Sequence, residues 1–495
     1  MPRAERRGAA AAGLALTLLL TSCSLGDAPD PEPSPSATPR PFTVMSTDQV
    51  RVTDPAAMTD TASAMLAQNA FQRLMTADPG QSAPKPDAAR DCIFTTLTTY
   101  TCTLNEGELF HNGHPLTSSD VKFSIERAAR LDVQGSSAPL LSSLRRIETP
   151  DPLTVRFLLS RADNQFVWAL ASPAASIVDE ELYDADRVRP PEEPIIGSGP
   201  FRVTRYDHSQ IDFARYPEYK GRNVPALDAV VYRSAPDSAS IEDAMAKGTV
   251  DLVWRGLDEA AVTRLDQQAD NPDGVTPSGF REQVLGGARV LQLEWAPDSR
   301  SRSNKALRTA IALALQGDRT LDSVVPTGVP GHVAAFPLGG RTSPRVTWDN
   351  RINLTLGYDS STPDGQDVAT LIRTRLEDTG GLSVRLRPDE TGDLTLVDRK
   401  AWTATALAWL QPYLEAPLPA AADTVSSIER GFRATSEDAD GLQLLGALQK
   451  QAAVDAVVLP LTQSDEHVYL RTDTDLGPGS YGPGWQLGLW GMTRG

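Results

Sequence analysis

The stretch that decides the fold is Leu104–Arg130, which reads LNEGELFHNGHPLTSSDVKFSIERAAR. Within it, Asn112-Gly113 predicts a tight turn, because Asn tolerates a positive φ and Gly has no Cβ to clash. Thr117 and Asp120 predict a helix start, since the Thr hydroxyl can accept a hydrogen bond from the first free N–H groups and the acid can reach back. Small and apolar residues then follow at helical spacing. Local physics alone therefore predicts a strand, a turn and a capped helix.

The order of residues in this stretch also resembles a known family. The family pattern reads L-R-x-G-V-x-F-H-D-G-x-P-L-T-A-x-D-V-x-F-S-x-x-R, and it belongs to the family 5 extracellular solute-binding proteins of bacterial ABC importers, which include oligopeptide, dipeptide and nickel binders. The residues that match in order are Gly107, Phe110, His111, Gly113, Pro115, Leu116, Thr117, Asp120, Val121, Phe123, Ser124 and Arg127. Further phrases of the family resemble Asp54-Pro55-Ala56, residues 195–201 (IIGSGPF), residues 215–221 (RYPEYKG) and residues 244–252 (AMAKGTVDL).

The resemblance covers most of residues 42–465 and implies an α/β fold of the two-lobe periplasmic-binding-protein type (type II, cluster C), with a hinge and an interlobe cleft. It implies a first lobe of two subdomains over residues 42–284 and a second lobe over residues 285–460. Residues 461–495 would return to the first lobe. A ligand would bind between the lobes, and hinge closure would bury it. The closed protein, a monomer, would then dock on an ABC permease in the membrane.

Length and charge agree with this class of protein. The chain has 495 residues, more than one core usually holds, so two or three folded units are expected. Its formal net charge is −17, which argues against a nucleic-acid partner, because phosphates require a basic face.

The N-terminus predicts export and lipid anchoring. Residues 1–22 combine a basic start with an apolar run that is too short to span a bilayer, as in a signal peptide. Leu20–Cys23 resembles a lipobox, in which cleavage leaves Cys23 as a lipidated N-terminus. A plain signal peptide with a Cys near its cleavage site is the alternative. Residues 23–41 are rich in Pro and predict an extended tether that holds the folded body at the extracytoplasmic face of the membrane.

Cysteine usage predicts one disulfide and no metal site. With Cys23 modified by lipid, the remaining two of the three cysteines, Cys92 and Cys102, can pair with each other in an oxidising compartment. His111 and His114 lie three residues apart but in a turn, and no further ligand stands at metal-binding spacing.

The ligand site is where the chain departs from the family. Peptide binders carry W-x-x-D-Y in the second lobe, and the Asp holds the α-ammonium group of the peptide. Trp409 and Tyr413 align with this motif, but Pro412 replaces the Asp and offers neither charge nor donor. Glu415 is the candidate substitute, while Trp409 and Tyr413 either line the cleft and stack on the ligand or belong to the core. Ordinary di- and tripeptides are therefore expected to bind weakly or not at all.

No enzyme motif or cofactor signature is found in the sequence. It contains no G-x-S-x-G elbow, P-loop, H-E-x-x-H or dinucleotide-binding glycine pattern, so a binding protein without cofactor is predicted. The alternative function is a lipoprotein of the same fold that acts in cell-envelope assembly or regulation without transport.

We predict that Cys23 is acylated. The full chain, expressed in a bacterial host and partitioned in detergent, should enter the detergent phase, and Cys23→Ala should remain in the aqueous phase. The hypothesis is wrong if both proteins are exported and remain aqueous.

Overall fold

The computed structural model describes residues 40–77, 83–340, 350–362, 364–435, 439–477, 479–480 and 486–495. The signal segment, Cys23 and the tether up to residue 39 lie outside the described residues. The chain divides after Arg40, and residues 41–495 form the folded unit described below. Among the described residues, no helix is both long enough and apolar enough to cross a membrane.

The folded unit is a mixed α/β structure. Its strands are β1 Phe42–Ser46, β2 Met75–Thr76, β3 Lys85–Pro86, β4 Ala89–Thr96, β5 Thr99–Leu104, β6 Leu144–Asp151, β7 Thr154–Leu159, β8 Phe201–Asp207, β9 Gln210–Arg215, β10 Ala229–Ser234, β11 Leu252–Trp254, β12 Phe280–Trp295, β13 Ile352–Tyr358, β14 Leu382–Pro388, β15 Leu394–Arg399, β16 Val458–Arg471, β17 Thr474–Leu476 and β18 Met492–Arg494. Its helices are α1 Thr61–Ala70, α2 Ser118–Leu131, α3 Phe166–Ala169, α4 Ser238–Ala246, α5 Glu259–Ala269, α6 Lys305–Ala314, α7 Gly365–Glu377, α8 Ala406–Glu415, α9 Ala422–Ala434 and α10 Ala439–Asp455.

A ten-stranded sheet runs through both lobes in the order β14-β13-β15-β12-β16-β11-β1-β10-β9-β8. The strands β12 and β16 pair antiparallel along both of their halves, so the same two strands belong to both lobes. On the first-lobe side β11 pairs with β16, and on the second-lobe side β15 pairs with β12. The predicted boundaries at residues 285 and 461 fall inside these shared strands and remain predictions.

The pairing of β12 with β16 is interrupted between Leu285 and Arg289, at Gly286-Gly287. Gly287 has a φ of +64°, a conformation that favours glycine, and its N–H donates to the Asp465 carboxylate at 2.8 Å. A Cβ at this position would lie 2.6 Å from Nε2 of Gln463. A bulge with two glycines in a strand that joins two lobes is a suitable place for a hinge.

The motif stretch folds as the sequence predicts. The helix α2 begins after Thr117, whose hydroxyl accepts from the N–H of Ser119, while the Asp120 carboxylate accepts from the N–H of Thr117 at 2.8 Å. Farther along the same helix, the buried Arg127 forms a bidentate ion pair with the buried Asp54, at 2.9 and 2.5 Å. Two matches to the family that lie 73 residues apart in the chain therefore meet in the core of the first lobe.

Residues 195–201 (IIGSGPF) lack the spacing and the Lys of a phosphate-binding loop, so the sequence predicts that their glycines are structural, and the structure agrees. A Cβ on Gly197 would lie 2.0 Å from the carbonyl oxygen of Ala70, and one on Gly199 would lie 2.5 Å from the carbonyl carbon of the same residue. His111 packs beside them, and its Nε2 lies 3.0 Å from the Gly199 carbonyl oxygen. Burial lowers the pKa of His111 to about 4, since desolvation disfavours the imidazolium. Among the described residues, no group of three or more His, Cys, Asp or Glu is arranged to hold a metal ion.

The first lobe has two main apolar cores. One lies between the large sheet and α1 and includes Leu487, Leu489 and Met492, so the C-terminal segment packs in the first lobe. The other joins α2 to a smaller sheet of order β4-β5-β7-β6.

The second lobe gathers its core from side chains between Val290 and Leu461. The sequence predicts a β-α-β unit in the second lobe, because apolar residues that include Leu371, Ile372 and Leu376 share a helix face between two strand-like runs. The unit β13-α7-β14 has this form, with β13 and β14 parallel. On α7 the side chains of Ile372 and Leu376 are buried, whereas Leu371, expected on the same buried face, is 42% exposed.

The structure contains the disulfide between Cys92 and Cys102, which face each other across β4 and β5 with their Cα atoms 4.1 Å apart. We predict that the double variant Cys92→Ser, Cys102→Ser loses roughly 2–3 kcal/mol of unfolding free energy, because the cross-link closes a short loop. Denaturant unfolding measures the loss. Thiol counting on the unfolded, unreduced mature protein is the direct check, and free thiols at both positions would contradict the pairing.

Candidate functional site

The described residues form cavities between the lobes, and two of these, called A and B, meet at Arg399, Lys400 and Trp402. Cavity A, of about 520 Å³, is lined from the first lobe by residues that include Asp132, Gly135 and Pro139, and from the second lobe by Trp295, Arg302 and Glu415. Cavity B, of about 380 Å³, is lined from the first lobe by residues that include Asp48, Arg51 and Asp60, and from the second lobe by Asp359, Asp389 and Asp398. Both volumes are in the range of small-molecule sites in proteins.

Cavities A and B share Arg399, Lys400 and Trp402. Trp402 belongs to the second lobe by sequence, yet its partly buried ring packs against the smaller core of the first lobe. The segment that follows β15 therefore separates the two cavities and also connects the lobes. The sequence contains no motif or periodic pattern that singles out Trp402. The ring packs against first-lobe side chains that are far away in the chain, so only the folded structure shows this contact.

A buried cluster of charges joins the lobes at cavity B. Arg255, at the end of β11, lies 2.8 Å from Asp48 of the first lobe, 3.0 Å from Asp398 of the second lobe and 3.2 Å from Glu466 on the shared strand β16. The side chain of Arg255 is 7% exposed, and its backbone has a φ of +62°, which is unusual for a residue with a Cβ. A residue with a Cβ keeps a positive φ only where the surrounding contacts hold it in that conformation.

The pKa values of two acids in this cluster, Asp48 and Asp398, are shifted in opposite directions. Burial raises the pKa of Asp48, and Arg255 acts against this shift. Burial also opposes ionisation of Asp398, yet Arg255, Lys400 and Arg289 together hold its pKa below the ordinary value. The ion pair of Arg255 with Asp398 therefore connects the two lobes across the cleft.

A second interlobe contact lies where the loop after β7 meets the end of α9. The Arg433 guanidinium donates to the buried Asp163 carboxylate at 3.0 Å. Asn164 donates through its side chain to the carbonyl oxygens of Phe432 at 2.9 Å and Thr435 at 2.6 Å. These contacts, like the Arg255 cluster, use protein groups alone to hold the lobes together.

Of the three residues expected to bind ligand, the structure brings only Glu415 to a cavity. Trp409 is 3% exposed and Tyr413 is fully buried, with its hydroxyl donating to the Asp455 carboxylate at 2.6 Å. Both rings belong to the second-lobe core, so the expectation that they line the cleft is not met in this structure. The reason is helical periodicity: positions 408, 411, 412 and 415 of α8 face cavity A, and positions 409 and 413 face the opposite side.

Glu415 is solvent-accessible at cavity A, and its carboxylate accepts from the Gln411 side chain at 2.6 Å. Partial burial raises the pKa of Glu415, with Glu294 and Asp132 adding to this effect against Gln411 and Arg399. Pro412 also lines cavity A, so the position at which the family carries its Asp does face the ligand space.

Comparison with known proteins decides the family. The model of the bacterial extracellular solute-binding proteins, family 5 (middle region), matches residues 83–346. The chain belongs to this family. Family 5 members are binding proteins, and the two-lobe α/β architecture described above agrees with that assignment.

Curated relatives match in part. The glutathione-binding protein GsiB of Salmonella paratyphi A is 27% identical over 191 residues, which are 37% of this chain and 36% of the relative. The chain thus spans about a third of the length of the GsiB sequences it matches. The probable D,D-dipeptide-binding periplasmic protein DdpA of Escherichia coli K12 is 25% identical over 374 residues, 70% of this chain and 69% of the relative.

Solved structures share the fold. The binding protein AgaA of A. tumefaciens R10, in complex with agropinic acid, has a TM-score of 0.79 at 19% identity, over 92% of this chain and 98% of the other. The binding protein DppA of Helicobacter pylori, in complex with the peptide STSA, has a TM-score of 0.78 at 18% identity, over the same shares. At these identities the likeness concerns the fold alone.

We predict that Arg255→Ala lowers the free energy of unfolding by about 3–5 kcal/mol, because it leaves buried carboxylates without their cation. Denaturant unfolding followed by circular dichroism measures the loss. The matched control is Arg130→Ala, since Arg130 pairs with Asp186 at 3.0 Å but both side chains are at least half exposed. The control should lose less than about 1 kcal/mol, and an equal loss in both variants would contradict the interpretation.

Proposed function

We propose that this family 5 protein is a membrane-anchored extracellular solute-binding lipoprotein, which captures a peptide-like or other small organic ligand between its lobes and delivers it to an ABC importer. The observation that carries the proposal is that cavities A and B are each lined by both lobes. A ligand that contacts both lobes binds the closed form of the protein more tightly than the open form, so it increases the fraction of closed protein. A permease can then recognise the closed form.

The proposal includes the features that the sequence predicts outside the described residues. These are a signal peptide over residues 1–22, a lipid on Cys23 and a tether over residues 23–41. The folded monomer would then act at the extracytoplasmic face of the cell membrane, with a permease as its partner and without a cofactor. We further propose that the first lobe covers residues 42–284, that the second lobe covers residues 285–460, and that β12 and β16 join them.

The relatives support a peptide-like ligand class. GsiB is described as glutathione-binding, and DdpA as a probable D,D-dipeptide-binding protein. The relatives do not favour the alternative role in envelope assembly without transport.

Within the site, we assign ligand contact to Glu415 and a supporting role to Trp409 and Tyr413. The two rings fill the core beneath α8 and thereby fix the helix face that carries Glu415. Because Pro412 replaces the family's Asp, the α-ammonium group of an ordinary peptide lacks its usual partner at that position, and Glu415 lies one helical turn farther along.

We predict that ordinary di- and tripeptides raise the melting temperature of the mature protein little or not at all in a thermal-shift screen that also contains sugars and envelope fragments. Any peptide that does bind should lose affinity about tenfold or more in Glu415→Ala, as expected for loss of a charged hydrogen bond. The control is Glu218→Ala, because Glu218 is exposed and lines neither cavity A nor cavity B. Tight peptide binding that is indifferent to Glu415 would contradict this assignment.

The transport function is tested separately. Deleting the gene in its host should reduce uptake of the compound that gives the largest thermal shift, and re-expression should restore the uptake. Unchanged uptake would contradict delivery to an importer even if the compound binds tightly.

A further inference from the structure

The hairpin of β4 and β5 in the first lobe exposes a group of apolar side chains. Leu97 in its turn is 79% exposed, Ile93 is 59% exposed and Phe94 is 41% exposed. Other exposed large apolar side chains of the described residues, such as Val224 and Val454, are spread over the chain. Single exposed apolar residues are ordinary on a protein surface, whereas a group of them marks an interaction site.

The same hairpin carries no charge. Residues 92–104 (CIFTTLTTYTCTL) contain no Asp, Glu, Lys or Arg, although 22% of the whole chain is charged. At the turn, the N–H of Thr98 donates to the Thr96 hydroxyl, and the Thr95 hydroxyl donates to the carbonyl oxygen of Thr99, both at 3.3 Å. A segment without charge that bonds its own polar groups leaves water at low cost.

Arginines lie at the same end of the small sheet as the apolar turn. The N–H of Leu159, at the end of β7, donates to the carbonyl oxygen of Thr98 in the turn at 2.8 Å. Arg146 is the ladder partner of Leu158, so the beginning of β6 lies at this end as well. Both Arg146 and its neighbour Arg145 are exposed. The turn therefore combines apolar tips with flanking cations.

The acids of the small sheet lie farther from the turn. Glu148 is the ladder partner of Arg156 and pairs with both Arg156 and Arg146. Asp91 and Asp151 lie near the opposite end of the sheet. Residues 144–161 contain four arginines and two acids, which gives this edge a net charge of +2 in a chain of −17.

The local charge is what an approaching surface meets. Salt screens exposed charges beyond about 8 Å at physiological ionic strength. A surface that touches the turn therefore interacts mainly with the positive edge of the small sheet, and much less with the negative charge of the whole chain. The partner that fits is one with negative charge at its surface and an apolar layer beneath.

A second copy of the chain fits this surface poorly. β4 is an edge strand of the small sheet, and an exposed edge can pair with another chain. However, the ladder of β4 with β5 is irregular between Ala89 and Asp91, and again between Phe94 and Thr96. Such bulges protect an edge against pairing, and two copies would also bring like charges together.

We propose that the hairpin of β4 and β5 docks on an anionic lipid surface. Leu97 would enter the headgroup layer first, with Ile93 and Phe94 following from opposite faces of β4. Arg145 and Arg146 would contact the lipid phosphates, where the negative surface potential favours them. This docking site lies outside the cleft and needs neither a ligand nor an importer.

The hairpin is held in shape for such a contact. The disulfide between Cys92 and Cys102 closes its base, and the Phe94 ring packs on Tyr100 with ring centroids 4.6 Å apart. Little conformational freedom is therefore lost on docking. A lipid on Cys23 would limit only the distance from the membrane, whereas this contact would also orient the first lobe. That last consequence alone rests on the proposed function.

The experiment uses the chain from residue 23 onward with Cys23→Ser, which cannot be acylated, and measures its co-flotation with vesicles. Vesicles of phosphatidylcholine alone are compared with vesicles of equal parts phosphatidylcholine and phosphatidylglycerol. We expect partition into the anionic vesicles to be about tenfold stronger or more, and to fall as salt is raised. No partition into the anionic vesicles, or equal partition into both, would overturn the proposal.

Variants at the turn test the apolar contact. Leu97→Asp should lower partition about tenfold or more, while Val224→Asp, at an exposed apolar residue outside the hairpin, should leave it unchanged. Leu97→Trp should partition at least as well as the parent chain, since Trp suits the headgroup layer, and brominated lipid should quench its added emission. The control Val224→Trp should not be quenched. Unchanged partition of Leu97→Asp would contradict the proposal.

A second set tests the arginines. Arg145→Gln combined with Arg146→Gln should reduce the preference for anionic vesicles about tenfold or more. Arg130→Gln combined with Arg215→Gln removes the same charge from exposed positions outside the small sheet and should retain the preference. An equal reduction in both double variants would show that only net charge matters and would contradict the assigned site.

Sedimentation without vesicles tests the other occupant of the hairpin. We expect a monomer, and a dimer that dissociates in Leu97→Asp would show that a second copy covers the hairpin, which would overturn the proposal. These assays contain neither ligand nor importer. Their failure is therefore distinguishable from failure of the proposed transport function, which is measured by uptake.

Discussion

The pairing of β12 with β16 is the constraint on which the rest of this structure depends. These two strands lie in the middle of the ten-stranded sheet and carry hydrogen bonds in both lobes. The geometry of the cleft therefore depends on how these two strands bend. Gly286-Gly287 interrupts the ladder between the two halves and gives the backbone freedom where rotation would occur.

Around that connection, buried charges hold the lobes together, beside the apolar contact that Trp402 makes with the first-lobe core. Arg255 contacts acids from the first lobe, the second lobe and a shared strand, and Arg433 reaches Asp163 from the other side of the cleft. Buried ion pairs contribute little net stability compared with apolar packing, but they impose a specific geometry, because each partner is costly to leave alone. This suits a cleft that must open and then close in one defined arrangement, with cavities A and B enclosed between the lobes.

The ligand space was only partly visible in the sequence. The W-x-x-D-Y likeness pointed to the correct helix, but α8 turns Trp409 and Tyr413 into the core and presents Gln411, Pro412 and Glu415 to cavity A. Helical periodicity within the motif indicates that Trp409 and Tyr413 lie on the same face of α8, because residues four apart share a face. Arg255 and Trp402 carried no local signal. Their importance comes from partners such as Asp398, 143 residues from Arg255 in the chain, which only the folded structure brings within hydrogen-bonding distance.

The sequence by itself determined the elements whose causes are local or recorded in the family pattern. These include the capped helix α2, the disulfide-linked hairpin, the structural glycines beside Ala70 and the β-α-β unit of the second lobe. Caps, turns and periodicity act over a few residues, and the family pattern supplies the overall architecture. The tertiary structure alone decided which side chains face the cleft and which charges pair across it. Both depend on contacts between the lobes, and the energy of a buried charge is set by every group around it rather than by its neighbours in the chain.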